Sequence, residues 1–173
     1  NDSVECLGLS YDAEADKLNK TTEEIHKKID AMKQEAVQSA YIEHSKEALE
    51  KYTESAIKMT EAQDKLTEKE KKLNEITVVG SKQRKEAEQQ YKTAKKNYEE
   101  LAEATSIYWQ EYLQQQNQAM MASGQWDQLV ADAGLTGKDI PESLITGIKE
   151  GKYKIPETVD DLKAYIKFDS IAT

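Results

Sequence analysis

The chain has 173 residues, 38% hydrophobic and 33% charged, with a formal net charge of −9 and a single cysteine. That length holds one domain, or one domain with an elongated appendage. The acidic balance disfavours general nucleic-acid binding. The lone Cys6 excludes an internal disulfide and fits a reducing compartment. No apolar run approaches the roughly 20 residues that span a bilayer, and no secretory signal is visible. Asn1 in place of Met is expected of an excerpt or a processed piece. So polar a composition raises disorder as a reading. It cannot fill a thick core, but it can fill a thin seam between two long helices, which needs two apolar positions in seven.

The only prolines are Pro141 and Pro156, and most of the seven glycines follow residue 123. Residues 10–123 therefore hold almost nothing that breaks a helix. After an irregular segment over 1–11, helix one is expected over 12–76, with Asp12, Glu14 and Asp16 at the end where the helix dipole favours acid. From Leu18 a stripe of apolar or small residues runs through Thr22, Ile25, Ile29, Met32, Ala36 and Ser39. After a slip of one residue near Ser39–Ile42 it continues through Ser45, Leu49, Tyr52, Ala56, Met59, Gln63, Leu66, Glu70 and Leu73. The slip predicts a bend or a change of packing partner.

A turn is expected over 77–81, where Gly80 suits a left-handed helix stop and Ser81 suits an N-cap. Helix two follows over 82–123. Its stripe steps through Ala87, Tyr91, Ala94, Tyr98, Leu101, Thr105, Tyr108, Tyr112, Gln115 and Ala119 at intervals of three and four. Folding the chain about Val78–Val79 makes an antiparallel coiled-coil hairpin. It sets Leu66 opposite Tyr91, Met59 opposite Tyr98, Ala56 opposite Leu101, Tyr52 opposite Thr105 and Leu49 opposite Tyr108. These ten residues are the expected seam, with the tyrosines packing there and their hydroxyls at its wet edge.

Residues 124–173 change character and predict a small subdomain of three short helices. Trp126, Leu129, Val130 and Leu135 mark one, stopped at Gly134. Pro141 starts a second, with Leu144, Ile145 and Ile148 as its apolar face and Gly151 as its stop. Pro156 starts a third, with Val159, Leu162, Tyr165 and Ile166. The expectation is that these helices cover Ile25, Ile29 and Met32. The fold class is thus all-α.

Candidate chemistry is sparse. His26 and His44 lie just off the stripe, and Glu43-His44 with Glu47 is the only approach to a bundle metal motif; solvated helix surface is the better reading. Cys6 has no neighbouring base to activate a thiolate. No phosphate-cradling loop or nucleophile elbow occurs, so no catalytic residue, metal or other cofactor is expected. The tip carries Lys69, Lys71, Lys72, Lys82, Arg84 and Lys85 against Glu70 and Glu75. Such a basic end is a candidate dock for an acidic partner or a nucleic-acid backbone; the plainer reading is a solvated loop flank.

The segment Gly137-Lys-Asp-Ile140-Pro141-Glu-Ser-Leu144-Ile-Thr-Gly147-Ile148-Lys-Glu-Gly151-Lys-Tyr-Lys-Ile155-Pro156 resembles one common in tail tape measure proteins of long-tailed phages and prophages, of the form Pro-x-x-Leu-x-x-Gly-Ile-x-x-Gly. The Glu-, Lys-, Gln- and Ala-rich helices before it are similar to that family in composition. The resemblance implies a length-setting scaffold, made in the bacterial cytoplasm and housed in the virion tail. Its partners would be tail tube and tail-assembly proteins, with possible self-association. A bacterial coiled-coil adaptor or surface domain is the alternative that the helices alone support.

Overall fold

A computed structural model describes the backbone of residues 11–12, 17–18 and 22–172, and the side chains of 23–167. Tyr11–Asp12 (β1) and Lys17–Leu18 (β2) pair antiparallel, Tyr11 opposite Leu18. Every other described element is a helix: α1 Thr22–Glu75, α2 Lys82–Ala122, α3 Gln125–Asp132, α4 Glu142–Lys149 and α5 Val159–Ala172. Helix one therefore begins ten residues later than Asp12, its expected start. Asp12 and Leu18 lie in the two-residue ladder instead. Cys6 and the rest of 1–10 lie outside the described residues.

At 54 residues α1 is about 80 Å long. Its outer face explains how so polar a helix persists. Glu47, Glu54, Glu61, Glu68 and Glu75 form one row seven residues apart, and Lys51, Lys58, Lys65 and Lys72 form a second. The first four glutamates each precede a Lys by four residues, the favourable orientation. Lys58 reaches Glu54 at 3.9 Å, and Lys72 pairs with Glu68. Each exposed pair contributes little, but the row repeats along the helix.

The two long helices pack on each other as a helical hairpin. Near the turn, Arg84 Nη1 donates to the Ile76 carbonyl at 2.7 Å, and Lys69 Nζ donates to Gln90 Oε1 at 3.1 Å. Farther along, Ser55 meets Thr105 at 2.7 Å and Gln116 meets Ser45 at 2.7 Å. Rising numbers on one helix thus meet falling numbers on the other. Gly80 takes φ +80 inside the turn, past the end of α1 at Glu75, so it shapes the turn rather than stopping the helix; the Ser81 hydroxyl accepts the Arg84 N–H at 3.1 Å, so the N-cap falls where the sequence places it.

The register differs from the expected one. Thr105 faces Ser55, not Tyr52, a displacement of three residues. The α2 stripe is unchanged, with each of its members buried or half-buried. On α1 one row of the stripe holds, Ser45, Tyr52, Met59, Leu66 and Leu73, but its companion row is Ala48, Ser55 and Ala62 rather than Leu49, Ala56 and Gln63. Leu49 is 39% exposed, whereas Ala62 is 3% exposed. The physical reason is size. Small residues let the two backbones approach, and in this register they meet Tyr112, Thr105 and Tyr98, while Leu66 and Leu73 meet Ala94 and Ala87.

The short helices gather on α2, not on α1. α3 and α4 pack against α2, and α5 packs against α3 and α4. Val130, Ile140, Leu144, Ile148, Ile155 and Leu162 form their buried core. Ile25, Ile29 and Met32 are consequently not covered by them, and Met32 is exposed. The third short helix starts at Val159 rather than at Pro156. Thr158 sets that start, its hydroxyl accepting the Asp161 N–H at 3.1 Å and donating to the Asp161 carboxylate at 2.7 Å.

Candidate functional site

Three places carry the chain's specific geometry: the seam, the tip and the seat of the C-terminal segment on α2. In the seam, Tyr52, Met59, Leu66, Tyr91, Tyr98, Leu101 and Tyr108 are half-buried, as is Ala56, and Thr105 is buried. Tyr52 packs its ring 5.0 Å from that of Trp109, which lies 5.2 Å from Tyr112. Trp109 is off the expected stripe, and nothing in the helical periodicity marks it. A shallow groove beside the seam is lined by Ala62, Lys65, Lys69, Gln90, Ala94 and Asn97.

At the tip the bases are largely paired within the chain. Lys72 pairs with Glu68, Lys82 with Glu86 at 3.8 Å and Arg84 with Glu88 at 3.2 Å, while Lys69 is held by Gln90. Glu68, Glu86 and Glu88 lie just outside the basic run, one helical turn away. Hydrogen bonding to Lys72, then the Lys72 and Lys69 charges, holds the Glu68 carboxyl below the ordinary carboxylate range. The apex beyond them is apolar, with Val79 at 83% exposed.

The C-terminal segment is bolted to α2 by one asparagine. Asn117, fully buried, donates from Nδ2 to the Ile148 and Tyr153 carbonyls, each at 2.7 Å, and accepts the Ile155 N–H at 3.0 Å. Gln110 adds a bond to the Glu150 carbonyl at 3.0 Å. One side chain thereby binds three backbone groups at the end of α4 and in the loop that follows, and the buried Tyr153 carbonyl and Ile155 N–H gain partners. Nothing in the run Gln114-Gln115-Gln116-Asn117-Gln118 singles this residue out by sequence. Gly151, at φ +73, brings the loop so near that a Cβ there would lie 2.2 Å from the Gln110 carbonyl oxygen. Gly147 makes room for the Tyr153 ring. Leu144, Gly147, Ile148, Gly151, Ile155 and Pro156 are all buried in this seat, and Pro141 is half-buried.

His44 Nδ1 lies 3.9 Å from Glu47 Oε2, both largely exposed, and His26 is exposed. Among the described residues no three His, Cys, Asp or Glu side chains gather as a metal cage would need. No helix among them is long and apolar enough to cross a membrane. What the arrangement offers is a long arm with a built turn at one end and a docked helical cluster at the other. No protein family, curated protein or solved structure matches this chain.

Proposed function

We propose that this chain is a structural, non-catalytic segment of a phage tail tape measure protein, acting in tail assembly and length determination through protein partners. The long helical pair is read as an antiparallel coiled coil, the register set by the Ser55–Thr105 contact. The observation that carries the functional reading is the segment from Ile140 to Pro156. Its resemblance to the tape measure form rests on the same residues, Leu144, Gly147, Ile148 and Gly151, that seat the segment on α2. A spacing that builds one short helix, its stop and its dock is a module that a scaffold can reuse.

A second reading, a bacterial coiled-coil adaptor or surface domain, draws support from the turn. A hairpin closed by Arg84 on the Ile76 carbonyl and capped by Ser81 is a compact arm, whereas a ruler works extended. Mass spectrometry of phage particles separates the two. The tape measure reading predicts peptides from 22–172 in intact virions and their loss from particles that have ejected their DNA. Virions lacking these peptides would leave the adaptor reading in place.

A further inference from the structure

Helix α1 carries two overlapping stripes that share one row. Ser45, Tyr52, Met59, Leu66 and Leu73 serve both. The row in use adds Ala48, Ser55 and Ala62; the idle row, one residue on, offers Ile42, Leu49 and Ala56 before it turns polar at Gln63. Ile42 and Leu49 stand exposed beside the seam. Turning α1 by about 50° about its axis exchanges one row for the other. The single stripe of α2 then meets α1 in the displaced register, with Ala56 opposite Leu101 and Leu66 opposite Tyr91. That register requires α1 to slide three residues, about 4.5 Å, toward the tip.

The architecture leaves this slide open. Among the described elements α1 packs only against α2, and the short helices ride on α2 alone, so nothing else bolts the two arms together. The polar contacts between the arms are few: Ser55–Thr105, Ser45–Gln116, Lys69–Gln90 and Arg84–Ile76. Gln115 Oε1, on the α2 stripe, is buried without a donor, so the register in use carries a cost of its own. Only the tip contact fixes the length of the connection. In the displaced register Leu73 stands where Ile76 now faces Arg84, and the last turn of α1 joins the loop.

We propose that the hairpin is a two-register device, with the Arg84–Ile76 contact as its latch. A partner that engages the tip and takes the Arg84 guanidinium shifts α1 along α2, carrying the event to the far end of the arm at the cost of only the last turn of α1. The seam rows, not the docked segment, hold the two states.

Disulfide trapping tests this in the full chain with Cys6→Ser. Ser55→Cys with Thr105→Cys reports the register in use. Ala56→Cys with Leu101→Cys, and separately Leu66→Cys with Tyr91→Cys, report the displaced one, since a disulfide needs Cα atoms within about 7 Å. Ile57→Cys with Ile107→Cys, both exposed, is the control. The first pair closes fastest within one chain. Both displaced-register pairs close more slowly but well above the control. Their rates rise together about tenfold when Arg84→Ala, or the milder Arg84→Gln, removes the latch, with helical circular dichroism unchanged. Displaced-register pairs that close no faster than the control in any background overturn the proposal, as does a rise that the control shares.

Discussion

The Ser55 hydroxyl lies 2.7 Å from that of Thr105 across the seam, and Thr105 donates its own proton to the Leu101 carbonyl at 2.7 Å. With that proton committed, Ser55 is the donor. Thr105→Val leaves a buried donor without its acceptor, whereas Ser55→Ala removes donor and need together. In chemical denaturation Thr105→Val is expected to cost about 1 kcal/mol more than Ser55→Ala, and the two changes to couple by about 1 kcal/mol. Strict additivity would mean that the contact does not form.

The small row sets the approach of the helices, so enlarging it forces them apart. Ala62→Leu is expected to destabilise the hairpin by about 1–3 kcal/mol. Leu101→Ala removes packing and costs on the order of 2 kcal/mol. Leu49→Ser and Glu100→Ala, both on exposed positions, stay within about 0.5 kcal/mol. Thermal melts of the four variants check this; Leu49→Ser matching Leu101→Ala would restore the register read from hydrophobicity.

Asn117→Ala strips partners from the Ile148 and Tyr153 carbonyls and from the Ile155 N–H. The docked segment should loosen by about 2 kcal/mol or more, with the hairpin left folded. Gly151→Ala meets the Gln110 backbone and should act in the same direction, while Gly137→Ala, with open space around it, should not. Limited proteolysis reads the difference: faster cleavage within 133–160 in the first two variants only. Uniform cleavage of all three would contradict the asparagine seat.

Asp139 accepts both the N–H and the hydroxyl of Thr136 at 2.7 Å, and these bonds hold its carboxyl below the ordinary aspartate value. A depressed pKa means that the folded state prefers the ionised form. The contribution is present above the ordinary aspartate value and is lost as pH falls through the depressed one. Carbon-detected NMR titration should place Asp139 below a free aspartate, and Thr136→Val should bring it part of the way back. An unmoved midpoint in the variant would remove the hydroxyl from the account.

The α2 stripe, the Gly80–Ser81 turn and the Pro141 and Gly151 punctuation were legible because each rests on local chemistry. The α1 partner row was not. Choosing the more hydrophobic of two adjacent rows selects Leu49 and Ala56, whereas close packing against Tyr98, Thr105 and Tyr112 selects Ala48, Ser55 and Ala62. The tip reads as basic because Glu68, Glu86 and Glu88 lie just outside the counted run, and only a helix brings each beside a base four residues away. Asn117 is hidden in a run of glutamines, since its value lies in three backbone groups of a distant segment, at the end of α4 and in the loop after it. The start of α1 was misplaced because acids near Asp12 resemble a helix N-terminus whether or not a helix follows.

The length of the assembled tail tests the functional reading most directly. Removing two heptads from each arm, 52–65 with 95–108, keeps the observed register and both heptad phases and leaves the Asn117 seat intact. If the segment works as a ruler, tails built with the shortened parent lose length: roughly 40 Å if both arms lie end to end along the tube, or roughly 20 Å if the hairpin stays folded while measuring. Electron microscopy resolves either change as a shift of the length distribution. Tails of unaltered length, assembled in normal yield, would contradict the ruler reading and leave the compact arm as an adaptor.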